Sequence, residues 1–250
     1  MSLWKKIIKR RYCMAESTQS HDKPHIRRSG VKRIIQVWAG SLLQVGILFA
    51  AAGTVDWPGA WIYTGLLLIM LAIFAVVLYR VNPELINQRG EKKPDTKGFD
   101  KVFASVYAPL ILIMPAVAGF DVRYGWSGMP FSLAGIGIFL WGVSCIITPW
   151  AMAVNAHFET TVRIQKDRDH TVCTRGPYQY VRHPGYVGMI LMYAGTPLIL
   201  GSWWTFIPAG GTILVVMVRT ILEDRILHHE LAGYAEYAKT VQYRLLPRVW

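Results

Sequence analysis

Two stretches of this 250-residue chain concentrate the side chains able to do chemistry. The first runs Arg175-Gly176-Pro177-Tyr178, then Tyr180, Arg182, His183, Pro184 and Tyr186, all within twelve residues. Pro184 opens the apolar run GYVGMILMYAGTPLIL. Proline is favoured in the first turn of a helix because its missing N–H is not needed there. Arg182 and His183 are therefore expected at a helix N-terminus, where free N–H groups and the positive dipole end suit an anion. The second stretch holds Arg219, Glu223 and Asp224, where the next apolar run gives way to polar residues. Arg219 and Glu223 are four apart and share a helical face, so an intrahelical ion pair is the simplest reading. Carboxylates near membrane depth are costly, however, and usually functional. If the two apolar runs pack antiparallel, Arg182-His183 faces Arg219-Glu223. Anion-binding groups on one wall and carboxylates on the other suit a zwitterion. An interfacial cluster of snorkelling side chains would have a similar composition.

The elements that must position these residues are membrane helices. Hydrophobic residues make up 53% of the chain and charged residues 17%, against about 25% charged in soluble domains. The apolar residues come in blocks near 34–55, 58–79, 102–120 and 131–153, with a fifth region, 185–221, broken at Gly201-Ser202. About 20 apolar residues let a helix cross a hydrocarbon core. The expected fold is an all-α polytopic integral membrane protein, with four transmembrane helices and a C-terminal membrane helical hairpin. Net charge is +12, and of the 27 Lys and Arg all but Arg123 and Arg219 lie in the pieces 1–33, 80–101, 154–184 and 222–250. Arg219 sits just inside the end of the last arm and belongs with them. This bias places both termini in the cytoplasm, in a plasma or inner membrane, with the site facing the cytoplasm. Topology and attraction to anionic membrane lipid account for the charge, which argues against nucleic acid as a partner. The chain divides into a basic N-terminal segment 1–33, four membrane helices 34–153, and a catalytic region 154–250 with a cofactor-binding loop, the hairpin and a C-terminal tail.

Local features sharpen these expectations. Gly46 and Ala50 have the small-residue spacing of a close helix contact. Asp56-Trp57-Pro58-Gly59 reads as a tight turn, with Trp57 and Trp61 in the outer aromatic belt. Residues 80–101 read as a solvated connector, and Asp121 to Trp126 as an outer loop. Trp4, Ile7 and Ile8 among basic residues suit a short interfacial helix, and 15–30 a flexible stretch. Cys13, Cys145 and Cys173 show no metal-ligand spacing, so neither a metal site nor a disulfide is expected. Gly135-Ile136-Gly137 lacks the third glycine and preceding strand of a dinucleotide-binding turn.

Several motifs together are similar to the isoprenylcysteine carboxyl methyltransferase family. They are Gly176-Pro177-Tyr178, Val181-Arg182-His183-Pro184-x-Tyr186-x-Gly188, Gly195-x-Pro197-Leu198, Arg219, Glu223-Asp224-x-x-Leu227, Tyr234-x-x-Tyr237, Val241 and Arg244-x-x-Pro247. Asn82-Pro83-Glu84-Leu85, Lys97-Gly98-Phe99-Asp100 and Asp121-x-Arg123-x-Gly125-Trp126-Ser127 resemble the membrane-embedded prokaryotic members. The family usually has Glu-Glu where this chain has Glu223-Asp224. The resemblance implies S-adenosylmethionine as cofactor and a lipophilic small-molecule or prenylated acceptor. The reaction would be methyl ester formation on a carboxylate, as in protein-S-isoprenylcysteine O-methyltransferase. Phospholipid or lipid amine N-methylation, or NADPH-dependent reduction of an isoprenoid, are the alternatives within the wider superfamily. By carry-over, Gly176, Pro177, Tyr178, Arg182, His183, Pro184, Tyr186, Glu223 and Asp224 form the cofactor site. Arg182 and His183 would hold the carboxylate of the methyl donor and Glu223 its ammonium. Tyr178 and Tyr186 would line its purine or sulfonium. Arg219 and Glu223 would be catalytic, with Arg219 orienting the acceptor or fixing Glu223.

Overall fold

A computed structural model describes residues 26–91 and 97–250. The expected interfacial helix at Trp4, Ile7 and Ile8, Cys13, and most of the stretch 15–30 lie outside the described residues. Among the described residues there are eight α-helices: α1 Arg28–Ala52, α2 Pro58–Val81, α3 Pro83–Gly90, α4 Gly98–Tyr124, α5 Ala134–Val154, α6 Pro184–Leu200, α7 Phe206–Glu230 and α8 Tyr234–Thr240. A 3₁₀ turn, Phe131–Leu133, leads into α5. Helices α1, α2, α4, α7 and the unit Phe131–Val154 are long and apolar enough to cross a membrane. The shorter apolar α6 pairs with α7 as the expected hairpin, turned by Gly201 at φ 72°.

The closest packing is between α5 and α6, with α1 on α4, α7 on both α4 and α6, and α2 bracing α5 and α6. Glycines permit it. A Cβ on Gly137 would stand 2.6 Å from the carbonyl oxygen of Gly195, and one on Gly195 2.7 Å from that of Gly137. The two backbones touch, as small residues allow inside a bilayer, where close van der Waals contact drives association. We expect Gly195→Ala to cost about 1–3 kcal/mol by overpacking. Thermal unfolding in detergent checks this against Gly65→Ala, since a Cβ there meets nothing within 4 Å.

Gly46 has the same empty surroundings and Ala50 is exposed, so the expected contact face on α1 is not used. The contact forms instead at Ala51 and Leu48, where Gly119 of α4 leaves room. Trp57 also departs from expectation. It is buried with Leu48, Tyr63, Trp141 and Ile199 in the main core, whereas Trp61 is exposed. Periodicity reports that a residue is apolar, not which neighbour its face meets.

Two expected loops are partly helical. Within 80–101, Pro83 supplies the first turn of α3 and the Asn82 side chain accepts the Leu85 N–H at 3.2 Å. Leu85, Ile86 and Asn87 are buried, so this segment is not a solvated connector. Helix α3 lies across the start of α1, where the Arg27 N–H donates to Asn87 Oδ1 at 2.8 Å. The Arg27 guanidinium pairs with Glu84 and Glu91. These bonds start α1 at Arg28, so residues 28–30 are helical where flexibility was expected. On the far side α4 runs on to Tyr124, capped by Gly125 at φ 62°. Asp121 is therefore helical and buried. It accepts Ser127 N–H at 2.7 Å and Ser202 Oγ at 2.5 Å, which ties the outer loop to the hairpin tip.

Candidate functional site

The site forms where α6 begins, with Pro184 in its first turn and His183 as N-cap. The N–H groups just before the helix are already used. Arg182 N–H donates to Tyr243 O at 2.9 Å and His183 N–H to Arg244 O at 3.0 Å, so the C-terminal tail is stitched to this edge. The Arg182 guanidinium makes a fork with Asp224, Nε to Oδ1 at 2.8 Å and Nη2 to Oδ2 at 3.0 Å. Its Nη1 donates to the carbonyls of Val241 and Gln242 at 2.9 and 2.7 Å. Asp224 also accepts Arg244 Nε at 2.7 Å and Tyr234 OH at 2.8 Å, and lies 3.2 Å from His183 Nε2. Planar bidentate pairing of this kind is strong and geometrically demanding. Asp224, 1% exposed, is the hub joining α6, α7, α8 and the tail.

Glu223, its neighbour in sequence, points elsewhere. Tyr186 OH donates to Glu223 Oε2 at 2.5 Å, and His183 Nδ1 lies 3.9 Å from Oε1. Both side chains line a cavity of about 650 Å³ together with Tyr178, Arg182, His183 and Arg219. Arg219 turns to α4 rather than to Glu223. Its Nη2 lies 2.9 Å from Asp100 Oδ1 and donates to Thr160 O at 2.7 Å, and its guanidinium sits 4.2 Å from the Phe103 ring centre. The simple intrahelical pair is thus replaced by a link between helices and loop, since Asp100 Oδ2 also accepts the Val162 N–H at 2.5 Å.

The loop 155–183 forms the wall opposite. Arg163 bridges Glu159 and Asp167, at 3.0 and 2.7 Å. Gln165 Nε2 donates to His157 O at 2.8 Å while its Oε1 accepts Arg168 Nη1 at 2.9 Å. The rings of His157 and His170 lie 4.4 Å apart. Burial lowers the pKa of both, His170 to about 3, so both are neutral at pH 7. At another edge of the cavity, burial together with neighbouring Arg33 and Arg219 lowers Arg89 to about 10.

Of the residues singled out from sequence, Tyr178, Arg182, His183, Tyr186, Arg219 and Glu223 meet around one cavity. Gly176, Pro177, Pro184 and Asp224 stand behind that wall. Gly176 has φ 57°, which glycine adopts without strain, and packs under Trp150 and Val154. Pro177 is the second residue of the 3₁₀ turn Gly176–Gln179, which presents Tyr178. Sequence reasoning missed His157, Gln165 and Arg89, and gave Asp100 no role. Asp100 carried a usable signal, a carboxylate at the edge of a membrane span. The others did not, because they sit in polar stretches.

A family model described as phospholipid methyltransferase matches residues 133–232. The rat protein-S-isoprenylcysteine O-methyltransferase is 27% identical over 117 residues, covering 44% of this chain and 39% of the rat protein. The Dictyostelium discoideum enzyme of the same name is 30% identical over 114 residues, covering 44% of this chain and 48% of that protein. The chain thus spans less than half the length of these curated relatives. A solved structure of the eukaryotic intramembrane Ras methyltransferase, an isoprenylcysteine carboxyl methyltransferase, is similar in fold, with TM-score 0.50 and 20% identity. The similarity covers 87% of this chain and 75% of that one. This chain is an integral membrane protein; its sequence similarity to these methyltransferases is centred on α5 to α7, and the fold of the solved structure is shared over most of its length.

Proposed function

We propose that the chain is an S-adenosylmethionine-dependent methyltransferase that forms a methyl ester on the carboxylate of a lipophilic acceptor. The observation that carries this reading is the single cavity uniting Glu223, Tyr186, His183 and Arg219 at the membrane edge. Its volume falls within the roughly 300–1,000 Å³ of small-molecule sites. The residues fit the cofactor. Glu223 keeps Oε1 free of the Tyr186 bond and is 23% exposed, a suitable partner for an ammonium. Tyr178 and Tyr186 offer aromatic faces to a cation. When bound, S-adenosylmethionine supplies an electrophilic methyl group on a sulfonium.

The protein's own task is then alignment and exclusion of water. A carboxylate acceptor is already ionised at pH 7 and needs no general base. Arg33 and Arg89 line the cavity, and neither forms an ion pair with a carboxylate among the described residues. That local excess of positive charge favours an anionic acceptor over an amine. Arg219, already held by Asp100, keeps its guanidinium on the cavity wall and would orient that anion. Ala104, Tyr107 and Ile111 of α4 and Met189 of α6 extend the wall along apolar surface. A lipophilic tail would enter there, sideways from the bilayer, while the cofactor enters from the cytosol. The region 154–250 would supply most of the cofactor side, and α1, α3 and α4 the acceptor side. Both termini would be cytoplasmic, in a plasma or inner membrane, by the one-sided distribution of basic residues.

Calorimetry on the purified full chain, with S-adenosylmethionine and with NADPH in turn, tests the reading. Binding of the first alone is expected. Binding of NADPH without S-adenosylmethionine would replace the proposal with the reductase alternative.

A further inference from the structure

We propose that Arg33 and Arg89 form a second anion subsite, which holds an acidic group of the acceptor other than the carboxylate to be methylated. The substrate class is then a lipophilic molecule with two acidic groups. This rests on the methyltransferase reading and adds two residues outside the motifs that suggested it.

The two arginines meet because α3 lies across the start of α1. A Cβ on Gly90 would stand 3.3 Å from Arg33 Cβ, so the Arg33 stem passes beside the end of α3. Both residues line the cavity and both are partly exposed. Helix α3 has carboxylates, but Glu84 and Glu91 turn to Arg27. Arg89 Nη1 donates a long bond to Phe158 O at 3.4 Å, and its guanidinium stands 5.7 Å from the Phe158 ring centre. Arg33 makes no hydrogen bond or ion pair among the described residues. Their unbonded nitrogens are accessible, in contrast to Arg219 Nε, which is buried without a partner.

Like charges in a partly dry cavity repel more strongly than in water. Arg33 and Arg219 both push against the Arg89 charge. Glu159 supports Arg89 from a distance, but it is bonded to Arg163 at 3.0 Å. Arg219 and Arg182 are each matched by an aspartate. Lys101, also on the cavity wall, is exposed. Arg33 and Arg89 are therefore the two positive charges left unmatched. The methyl donor brings an ammonium, a sulfonium and a carboxylate, and Glu223 cancels its surplus positive charge. An acceptor with one acidic group leaves the site positive, and one with two leaves it neutral. Phe158 fixes the place, since a Cβ on Gly185 would collide with its ring. Arg89 is thus one ring away from the first turn of α6. The reacting carboxylate lies there with the sulfonium and Arg219, and the second acid meets the two guanidiniums beside Phe158, whose planar forks match a carboxylate or a phosphate.

Farnesylthiosuccinic acid carries two carboxylates on a prenyl thioether, and its monoamides have the same shape with one charge fewer. Calorimetry on the full chain in detergent is run at about pH 8, where both acids are ionised, with S-adenosylhomocysteine present. The diacid is expected to bind about 10- to 100-fold more tightly, the scale for a hydrogen bond to a charged group. In Arg33→Gln and in Arg89→Gln that preference is expected to fall towards unity. Their melting temperatures should be no lower, because each change removes a cation without a carboxylate partner. A preference retained in both variants would overturn the proposal. So would equal affinities, or no binding of either compound, in the unaltered protein, whether or not the variants fold. The phosphate of a bilayer phospholipid offers the same chemistry. A preference seen in detergent and lost in phospholipid nanodiscs would assign the subsite to that lipid and overturn the acceptor assignment. Failure of S-adenosylhomocysteine itself to bind would instead overturn the methyltransferase reading.

Discussion

Asp224→Ala is expected to destabilise the protein by about 3–5 kcal/mol, the scale for breaking a buried ion pair, and to abolish binding of the methyl donor. Among the described residues Asp224 is the one side-chain carboxylate bonded to the Arg182 guanidinium, and Arg182 is itself buried. Without it, Arg182 remains a buried cation whose hydrogen bonds go to the carbonyls of Val241 and Gln242 and which keeps no carboxylate among the described residues. Arg244 and Tyr234 lose their partner at the same time. The tail and the start of α6 are joined by two further backbone bonds, which are too few to hold that edge alone. His183 would then lose its place on the cavity wall, and affinity falls although Asp224 does not line the cavity. Asp224→Glu, which gives the Glu-Glu pattern usual in the family that the motifs resemble, inserts a methylene into a site only 1% exposed. It should cost about 1–3 kcal/mol and bind the cofactor more weakly. Thermal unfolding in detergent, followed by calorimetry on whatever remains folded, measures both effects. An unchanged melting temperature for Asp224→Ala would refute the hub role.

The membrane architecture was legible because its signal is long and redundant. A bilayer demands about 20 apolar residues per span, so no single residue decides a helix such as Pro58–Val81. The hairpin could be read from Gly201, whose positive φ ends α6. Helix α3 was not legible in the same way. It has eight residues, and its hydrophobic content is modest. What forms it is tertiary: Asn87 meeting Arg27, and the buried Leu85 and Ile86 meeting Leu78 and Met152.

The candidate site was legible as a cluster and illegible as a set of bonds. Sequence places Arg182, His183, Arg219, Glu223 and Asp224 together through helix periodicity and the antiparallel hairpin. It does not say which carboxylate Arg182 meets. Adjacent residues on a helix point about 100° apart, and that angle separates Asp224, facing the tail, from Glu223, facing the cavity. Arg219 and Asp100 show the same limit, since 119 residues separate them and α4 must pack on α7 before they meet.

That separation of neighbours yields the second large effect. Glu223→Gln is expected to weaken S-adenosylmethionine by about 1–3 kcal/mol, or roughly 5- to 150-fold, the scale for losing a charged hydrogen-bond partner. The melting temperature should stay unchanged. The amide keeps the length and shape of the side chain, and its oxygen can still accept Tyr186 OH, which now donates to Glu223 Oε2. What disappears is the negative charge facing the cavity. Arg219 feels that charge but does not rest on it alone. Arg219 is paired with Asp100 and Arg182 with Asp224, so Glu223 can be neutralised without stranding either. A carboxylate that faces a cavity and, among the described residues, forms no ion pair with an arginine is open to a cation from outside, and the ammonium of the methyl donor is the cation proposed. Calorimetry should show the loss in full with S-adenosylmethionine. It should show little with 5′-methylthioadenosine, which retains the purine and ribose but lacks the amino acid. Equal weakening of both ligands would mean that Glu223 shapes the cavity without meeting the ammonium, and unchanged affinity for S-adenosylmethionine would remove it from the site.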